Sequence, residues 1–489
     1  MRLAVAGCAA LVAASCDFDA DVRTYCANTG RCPDAGAPDS GPGSDSGIPA
    51  DAGKGADAGP SGDAGQTSDA GPGSDAGPRA DAGPARDAGG FDGGSCFAVF
   101  STTSISVLPS AASVALADID GDGILDIAIS NSANPGAVAF YRGDGLGGFT
   151  AQTTYAAVPY ATRVVVADLN RDGRPDVAIA GSNAGTCNCQ SLLVLRGEGG
   201  FTFSDAGNLP IAANHYPVDL AVADLNGDGW LDVAVVDQVP SLTIFSGSAT
   251  TIAAAGTVPL AGANAHAMVW GDLNGDGAAD LVTSESTTGH NIVGVALGHL
   301  TGLPGPDMTY TAGPTPLELA LGDLDGDGHL DLVTSTGVFT AQWSVLLGQS
   351  NGAFGSPVTQ SLGLGSEITG PVAIADLNGD GYRDVIVASG TGSGTSHLSF
   401  VPGVGNGTFG AQTVLDVSTS PVIGLAIGDI NRDGRLDMAT ITGFPQNSMT
   451  IWLNQCGPAG GIQCVGSTNA CDGGVACCSG GACVAGVCP

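Results

Sequence analysis

The chain has 489 residues and a formal net charge of −34, with 14 Lys and Arg against 48 Asp and Glu. A surface this acidic repels phosphate backbones, which argues against a nucleic-acid partner. Fourteen cysteines, some in Cys-x-Cys and Cys-Cys pairs, suit an oxidising compartment.

The first residues, MRLAVAGCAALVAASC, carry one Arg and then a run of small apolar residues. This reads as an export signal over residues 1–16, too short to cross a bilayer as a helix. Leu11 to Cys16 resembles a bacterial lipoprotein signal, which would make Cys16 the lipidated N-terminus and the only membrane attachment. Ordinary cleavage near Ala14 or Ser15 is the alternative. Residues 17–95 begin with a small loop holding Cys26 and Cys32. From Pro33 to Gly94 the chain is low in complexity, with Asp every six residues from Asp39 to Asp87. These hexads lack apolar residues to fill a β-helix, so the segment reads as a self-repelling disordered spacer. Its reach is roughly 40–50 Å, enough to hold a folded domain off a surface.

A nine-residue pattern, D-x-[DN]-x-D-G-x-x-D, then occurs seven times, beginning at Asp118, Asp168, Asp224, Asp272, Asp323, Asp376 and Asp429. The seven loops hold 23 of the 48 acidic residues, so the acidity reads mainly as cation ligands plus spacer. Each repeat has the same grammar. A short apolar strand precedes the loop, as in Val164-Val-Val-Ala167, and a second follows it, as in Asp232-Val-Ala-Val235. A third strand such as Leu192-Leu-Val-Leu195 leads into a Gly-rich turn ending in Phe149, Phe201, Phe354 or Phe409. A fourth, more variable strand reaches the next repeat. Continuous runs of Val, Ile, Leu and Ala suit strands buried on both faces. Four strands in about 50 residues, repeated, is the grammar of a β-propeller. The expected fold is all-β: a seven-bladed propeller over residues 96–456.

Residues 97–455 resemble the FG-GAP (integrin α-like) or VCBS repeat family, through the Asp loop between the first two strands and the later Gly-x-Phe turn. The resemblance implies seven blades with calcium in the hairpin loops. The chain departs from the family pattern in lacking a clear Gly-Ala-Pro signature. Gly247-Ser-Ala and Gly298-His-Leu also stand where blades 3 and 4 would carry Gly-x-Phe.

A propeller must close, because an open ring leaves a sheet edge unpaired. After Asp437 only two strands remain, Met438–Thr442 and Met449–Leu453, so Phe97–Val107 is expected to complete the last blade. Cys96 and Cys456 flank that junction, and a disulfide between them would fasten the ring; pairing of Cys456 within the tail is the alternative. Residues 457–489 hold Cys464, Cys471, Cys477, Cys478, Cys483 and Cys488. Spacing alone does not choose among their pairings. The order resembles a small cystine-knot framework, which would imply Cys464–Cys478, Cys471–Cys483 and Cys477–Cys488. Cys187 and Cys189 lie together in a hairpin loop, where a strained mutual disulfide is favoured over a metal site.

The loops present hard oxygen donors at short spacing, and a Gly at position 6 allows the sharp turn; this is calcium chemistry. The donors assigned are Asp118, Asp120, Asp122, Asp126 and the Ile124 carbonyl; Asp168, Asn170, Asp172, Asp176 and the Arg174 carbonyl; and Asp224, Asn226, Asp228, Asp232 and the Trp230 carbonyl. They continue with Asp272, Asn274, Asp276, Asp280 and the Ala278 carbonyl; Asp323, Asp325, Asp327, Asp331 and the His329 carbonyl; Asp376, Asn378, Asp380, Asp384 and the Tyr382 carbonyl; and Asp429, Asn431, Asp433, Asp437 and the Arg435 carbonyl. Up to seven Ca2+ ions follow, one per loop. The apolar residue at position 2, such as Leu225, points inward and anchors the hairpin. An EF-hand needs Glu at position 12 and flanking helices; here position 12 is Ile129, Ile179, Val235, Thr283, Thr334, Val387 or Thr440, between strands. The four-Asp loops at Asp118 and Asp323 should bind tightest. Arg171 and Arg432 at position 4, with Arg174 and Arg435 at position 7, should weaken their own loops. Trp230, His329 and Tyr382 at position 7 are expected to point outward.

Six scattered His form no zinc motif, and no Ser or Cys sits in a nucleophile elbow. Arg142-Gly-Asp144 spells a known adhesion tripeptide, but lies in a turn where any Gly-Asp-Gly would serve. The expectation is a monomeric, exported, non-catalytic binding or adhesion module, at the cell surface, in the periplasm or extracellular, with a protein or glycan ligand. A lectin-like glycan binder, a hydrolase using one propeller face and a structural coat protein are the alternatives.

Overall fold

The computed structural model describes residues 100–455, apart from short stretches at 184–188, 213–215, 240, 262–264, 288–289, 300–303, 306–307, 338–340, 365–366, 391–394 and 444–445. The leader with Cys16, the Cys26/Cys32 loop, the spacer, Cys96, Cys187, Cys456 and the tail lie outside the described residues, as does the side chain of Cys189. The disulfides expected for them fall there too.

The described residues form 28 strands and no helix, arranged as seven four-stranded antiparallel sheets. Blade 1 is typical. Its inner strand Ala111–Ala117 pairs with Asp126–Asn131, then come Gly136–Gly143 and the outer strand Phe149–Ala157. The inner strands of blades 2 to 7 are Arg163–Ala167, Pro217–Ala223, Ala265–Gly271, Pro316–Gly322, Ile368–Ala375 and Val422–Gly428. Each packs on the inner strand of the next, and Val422–Gly428 packs on Ala111–Ala117 to complete the circle.

Burial explains why the sequence grades from inside to outside. The inner and second strands of blade 1 are almost wholly buried, whereas its outer strand, FTAQTTYAA, is mostly exposed. β-branched and Ala runs therefore belong to the inside, and Thr and Gln to the rim. There is no single core. Seven apolar clusters fill the seven seams between neighbouring blades. The residue after the Gly-rich turn enters the seam with the preceding blade. Phe149 joins the blade 7–1 cluster, Phe201 the blade 1–2 cluster together with Phe203, and Phe354 the blade 4–5 cluster. Phe203 stacks on Phe140 of blade 1 at 4.8 Å between ring centroids. Blade 3, which lacks the Phe, uses Ile252 instead. Despite that departure, blades 3 and 4 have their outer strands, Ala253–Pro259 and Met308–Thr311.

The ring closes as the strand count requires. The last blade combines Val422–Gly428, Asp437–Thr442 and Ser448–Asn454 with Phe100–Ser106 from the start of the described chain. The register runs from Phe100 opposite Asn454 to Ser106 opposite Ser448. Phe100 stacks on Phe400 of blade 6 at 5.5 Å and meets Trp452 edge-on at 6.2 Å. Beginning the chain at Leu108 instead of Phe100 should therefore expose the Ser448–Asn454 edge, lower the melting temperature by several degrees and promote self-association. Calorimetry and light scattering of the two chains check this; identical behaviour would mean the closing strand is dispensable.

Candidate metal centres

Each Asp loop joins the inner and second strands of its blade, so all seven lie on the same face of the propeller as the Gly-rich turns. The loop folds on its own side chains. Asp118 accepts the amides of Gly121 and Gly123 at 2.9 and 2.8 Å, and Asp376 accepts those of Gly379 and Gly381 at 2.8 and 2.9 Å. Position 3 accepts the amide of position 5, as Asn226 does from Asp228 at 2.8 Å. Position 5 accepts the amide of position 7, as Asp228 does from Trp230 at 2.8 Å. These nested turns need left-handed backbone at position 4 as well as position 6. Gly229 has φ +89° and Gly227 φ +71°. Arg171 and Arg432 occupy position 4 at φ +56° and +61°, a region that costs an L-residue of order 1 kcal/mol.

Position 9 is the fixed point of every loop. In all seven blades one carboxylate oxygen accepts the amide of position 2, at 2.8–3.1 Å. The other accepts an amide at the end of the third strand: Gly143, Gly197, Gly247, Gly298, Gly348, Gly403 or Asn454, at 2.7–3.0 Å. The sequence reading missed this partner. Its signal is the Gly that recurs 15 to 21 residues after each position-9 Asp up to blade 6. A Cβ there would stand 2.0–2.3 Å from the position-8 carbonyl. In blade 7 Asn454 replaces that Gly and donates its side-chain amide to the Leu436 carbonyl at 3.1 Å. The position-2 side chains are buried, Leu225 at 1% exposure, as expected for hairpin anchors.

The donor set suits a hard cation. Oxygens of Asp118, Asp120 and Asp126 converge within 4.8 Å of one another, as do those of Asp323, Asp325 and Asp327. These are the two four-Asp loops. In the third loop the buried Oδ1 of Asp224 has no hydrogen-bond partner, an arrangement that a cation would satisfy. The arginines behave differently from expectation. Arg171 does not lie over its own loop but stacks on the Trp230 ring of blade 3, 5.4 Å from the centroid. Arg432 reaches toward Gly123 and Gly145 of blade 1. Arg435 does pair within its loop, 2.8 Å from Asp433. At position 7, Tyr382 is exposed, Trp230 and His329 are half-buried, and Ala278 is buried.

Two other charged groups were not legible as sites. Arg163 pairs with Asp219 at 3.1 Å, both buried. Glu318 is buried in the same electrostatic neighbourhood, and its carboxyl is pushed well above the ordinary range by desolvation and then by Asp219. On blade 6, His397 lies between Glu367 at 3.2 Å and Asp416 at 2.9 Å. The Ser389 hydroxyl donates to Glu367 rather than to the imidazole, so this cluster does not activate a nucleophile.

Burial also governs the position-9 acids. Desolvation lifts Asp126, Asp176, Asp232 and Asp437 to about 6, Asp280 and Asp331 to about 7, and Asp384 to about 8, against the backbone amides that favour the anion. All lie above the 3.8 of an ordinary Asp, so without a cation the fold holds these protons more tightly than the unfolded chain does. That stabilisation is complete below about pH 4 and disappears as pH rises through 6 to 8. In chelator, the melting temperature should fall by several degrees between about pH 5 and pH 8. The Asp384→Asn variant should show a shallower fall. An equal slope in both proteins would show that Asp384 does not titrate in that range.

Comparison with known proteins agrees with this geometry. Residues 118–179, 179–235, 323–387 and 376–440 match the FG-GAP-like repeat family. No curated protein matches the chain. Among solved structures, the chain is similar to the BP39L lectin from Burkholderia pseudomallei, with a TM-score of 0.53 and 14% identity over 72% of this chain and 98% of that one. At that identity the likeness concerns the fold alone. The chain is thus a seven-bladed propeller that contains four FG-GAP-like repeats.

Proposed function

We propose that the protein is a calcium-stabilised, non-catalytic binding module that works outside the cytoplasm. The observation that carries the calcium reading is the repeated donor loop, with converging carboxylates at Asp118 and Asp323 and the orphaned buried oxygen of Asp224. Carboxylate, amide and carbonyl oxygens at this spacing offer the six to eight hard ligands calcium accepts. The position-9 carboxylates already hold two backbone amides each and would lend remaining lone pairs. The ion would replace the protons those acids otherwise retain, so binding and folding are coupled. The export reading is supported by the apolar leader, Cys16 and the paired cysteines. The absence of an activated nucleophile among the described residues favours binding over hydrolysis.

The test is metal content by mass spectrometry with thermal unfolding at pH 7.5 in calcium and in EGTA. Several bound calcium ions per chain, up to one per loop, and a melting temperature lower by about ten degrees or more in EGTA are expected. A metal-free protein with an unchanged melt would remove this reading.

A glycan ligand is the second reading, favoured by one feature. Where blade 3 lacks its Phe, a cavity of about 100 Å³ opens between blades 2 and 3, lined by Leu169, Asn170, Val194, Arg196, Ser248 and Ile252 among others. Arg196 is held there by the Thr250 carbonyl at 2.9 Å. The cavity pairs apolar walls with hydrogen-bonding groups, and the BP39L propeller of similar fold is a lectin. A glycan array should then give binders that the Arg196→Ala variant loses by tenfold or more in affinity, roughly one charged hydrogen bond. An array with no binder removes the glycan reading.

A further inference from the structure

The two four-Asp loops are alike in donors but not in surroundings. In blade 1, Arg142 sets its Nε 2.9 Å from Asp120 and its Nη2 2.7 Å from Asp122. Those carboxylates hold positions 3 and 5 of the loop, and Asp120 is one of the three whose oxygens converge. One of the two most acidic loops therefore already holds a cation, and that cation is a guanidinium. Arg142 precedes Gly143, the residue whose amide binds the position-9 Asp126. The corresponding residue beside the Asp323 loop precedes Gly348, whose amide binds Asp331, and it is Leu347, an exposed apolar side chain. In blade 2 the same place holds Arg196, but its guanidinium goes to the Thr250 carbonyl of blade 3 and not to the loop. Among the described residues, no ion pair reaches the loops at Asp224, Asp272, Asp323 or Asp376.

We infer that Arg142 is a specificity-determining residue of the first loop, an internal counter-ion that a divalent cation must displace from Asp120 and Asp122 before it can use them. The inference rests on the calcium reading above. It separates two loops that charge alone ranks equal: the Asp118 loop fills after the Asp323 loop, although both carry four Asp. A guanidinium forked over two carboxylates is a strong competitor. Losing one positive charge at this distance, in a largely solvated loop, changes cation affinity by about tenfold.

The experiment is hydrogen exchange of the full chain over a calcium titration, following peptides that cover residues 118–126 and 323–331. In the wild type, protection of 118–126 should require about tenfold more calcium than protection of 323–331. Arg142→Gln should remove the gap by lowering the 118–126 midpoint, and Arg142→Lys should keep most of it. Leu347→Arg, a change on an exposed side chain, should raise the 323–331 midpoint, so the transplant decides the matter even where Arg142→Gln folds poorly. Equal midpoints in the wild type, or a gap that survives Arg142→Gln with Leu347→Arg silent, overturn the inference while leaving calcium binding intact. If calcium protects neither loop in any variant, the calcium reading itself fails and takes this inference with it.

Discussion

The structure depends on one buried carboxylate per blade. The Asp at position 9 begins the second strand and is fully enclosed, with Asp126, Asp232, Asp280, Asp384 and Asp437 at 0% exposure. Its two oxygens reach in opposite directions, one to the amide that opens its own loop and one to the amide that ends the third strand. Three strands of a blade are thereby fixed to one point. A charged group at such a place is costly unless its hydrogen bonds are complete. The chain completes them with main-chain amides, which side-chain substitution does not remove. In six blades the glycine beside the position-8 carbonyl follows from the same requirement, because a Cβ there would strike that carbonyl; in blade 7 Asn454 makes the contact instead.

Much of this was readable from order and spacing. The seven loops, the four-strand grammar and the need for an outside strand in the last blade fix the architecture, and Phe100–Ser106 lies where counting strands puts it. The loop's inward anchor, Leu225, was equally legible, because an apolar residue between acidic ones in a turn has one place to go. What escaped was anything decided by contacts distant in sequence. Arg171 sits in loop 2 by sequence, yet its partner is Trp230 in loop 3. Arg142 lies at the end of the third strand of blade 1, yet its partners lie 20 and 22 residues earlier. Linear proximity misassigns long side chains, since a six-bond arginine reaches the neighbouring loop as easily as its own. The left-handed backbone at position 4 was also hidden, because five glycines there disguised a requirement that two arginines satisfy with strain.

The apolar and polar parts of the molecule have separate tasks. The seams are filled mainly by hydrocarbon and aromatic rings, and their clusters are alike in kind: Phe203 against Phe140 in one, Trp343 against Phe409 at 5.0 Å in another. Non-directional packing of that sort does not dictate which blade follows which. The loop face is directional, but its main-chain hydrogen bonds repeat in all seven blades and do not by themselves distinguish one from another.

The covalent chain sets the order of the blades, and the residues that break the repetition fix how each blade seats on its neighbour. The register places Ser113, Arg163, Asp219, Ala267, Glu318, Pro371 and Gly424 at one equivalent site, immediately before the paired residues Val114, Val164, Leu220, Met268, Leu319, Val372 and Leu425. Every one of the seven residues differs from the others. Ser113 of blade 1 accepts the Val164 amide of blade 2 at 3.4 Å. Asp219 of blade 3 takes the Met268 amide of blade 4 at 2.8 Å while also pairing with Arg163 of blade 2. One carboxylate thus joins three successive blades, and exchanging any of them would leave a buried charge without its partner, a penalty of several kcal/mol. A buried ion pair adds little net stability over a hydrophobic substitute. Its effect here is to make one arrangement of similar blades cheaper than the others, which apolar seams and repeated loops do not achieve by themselves.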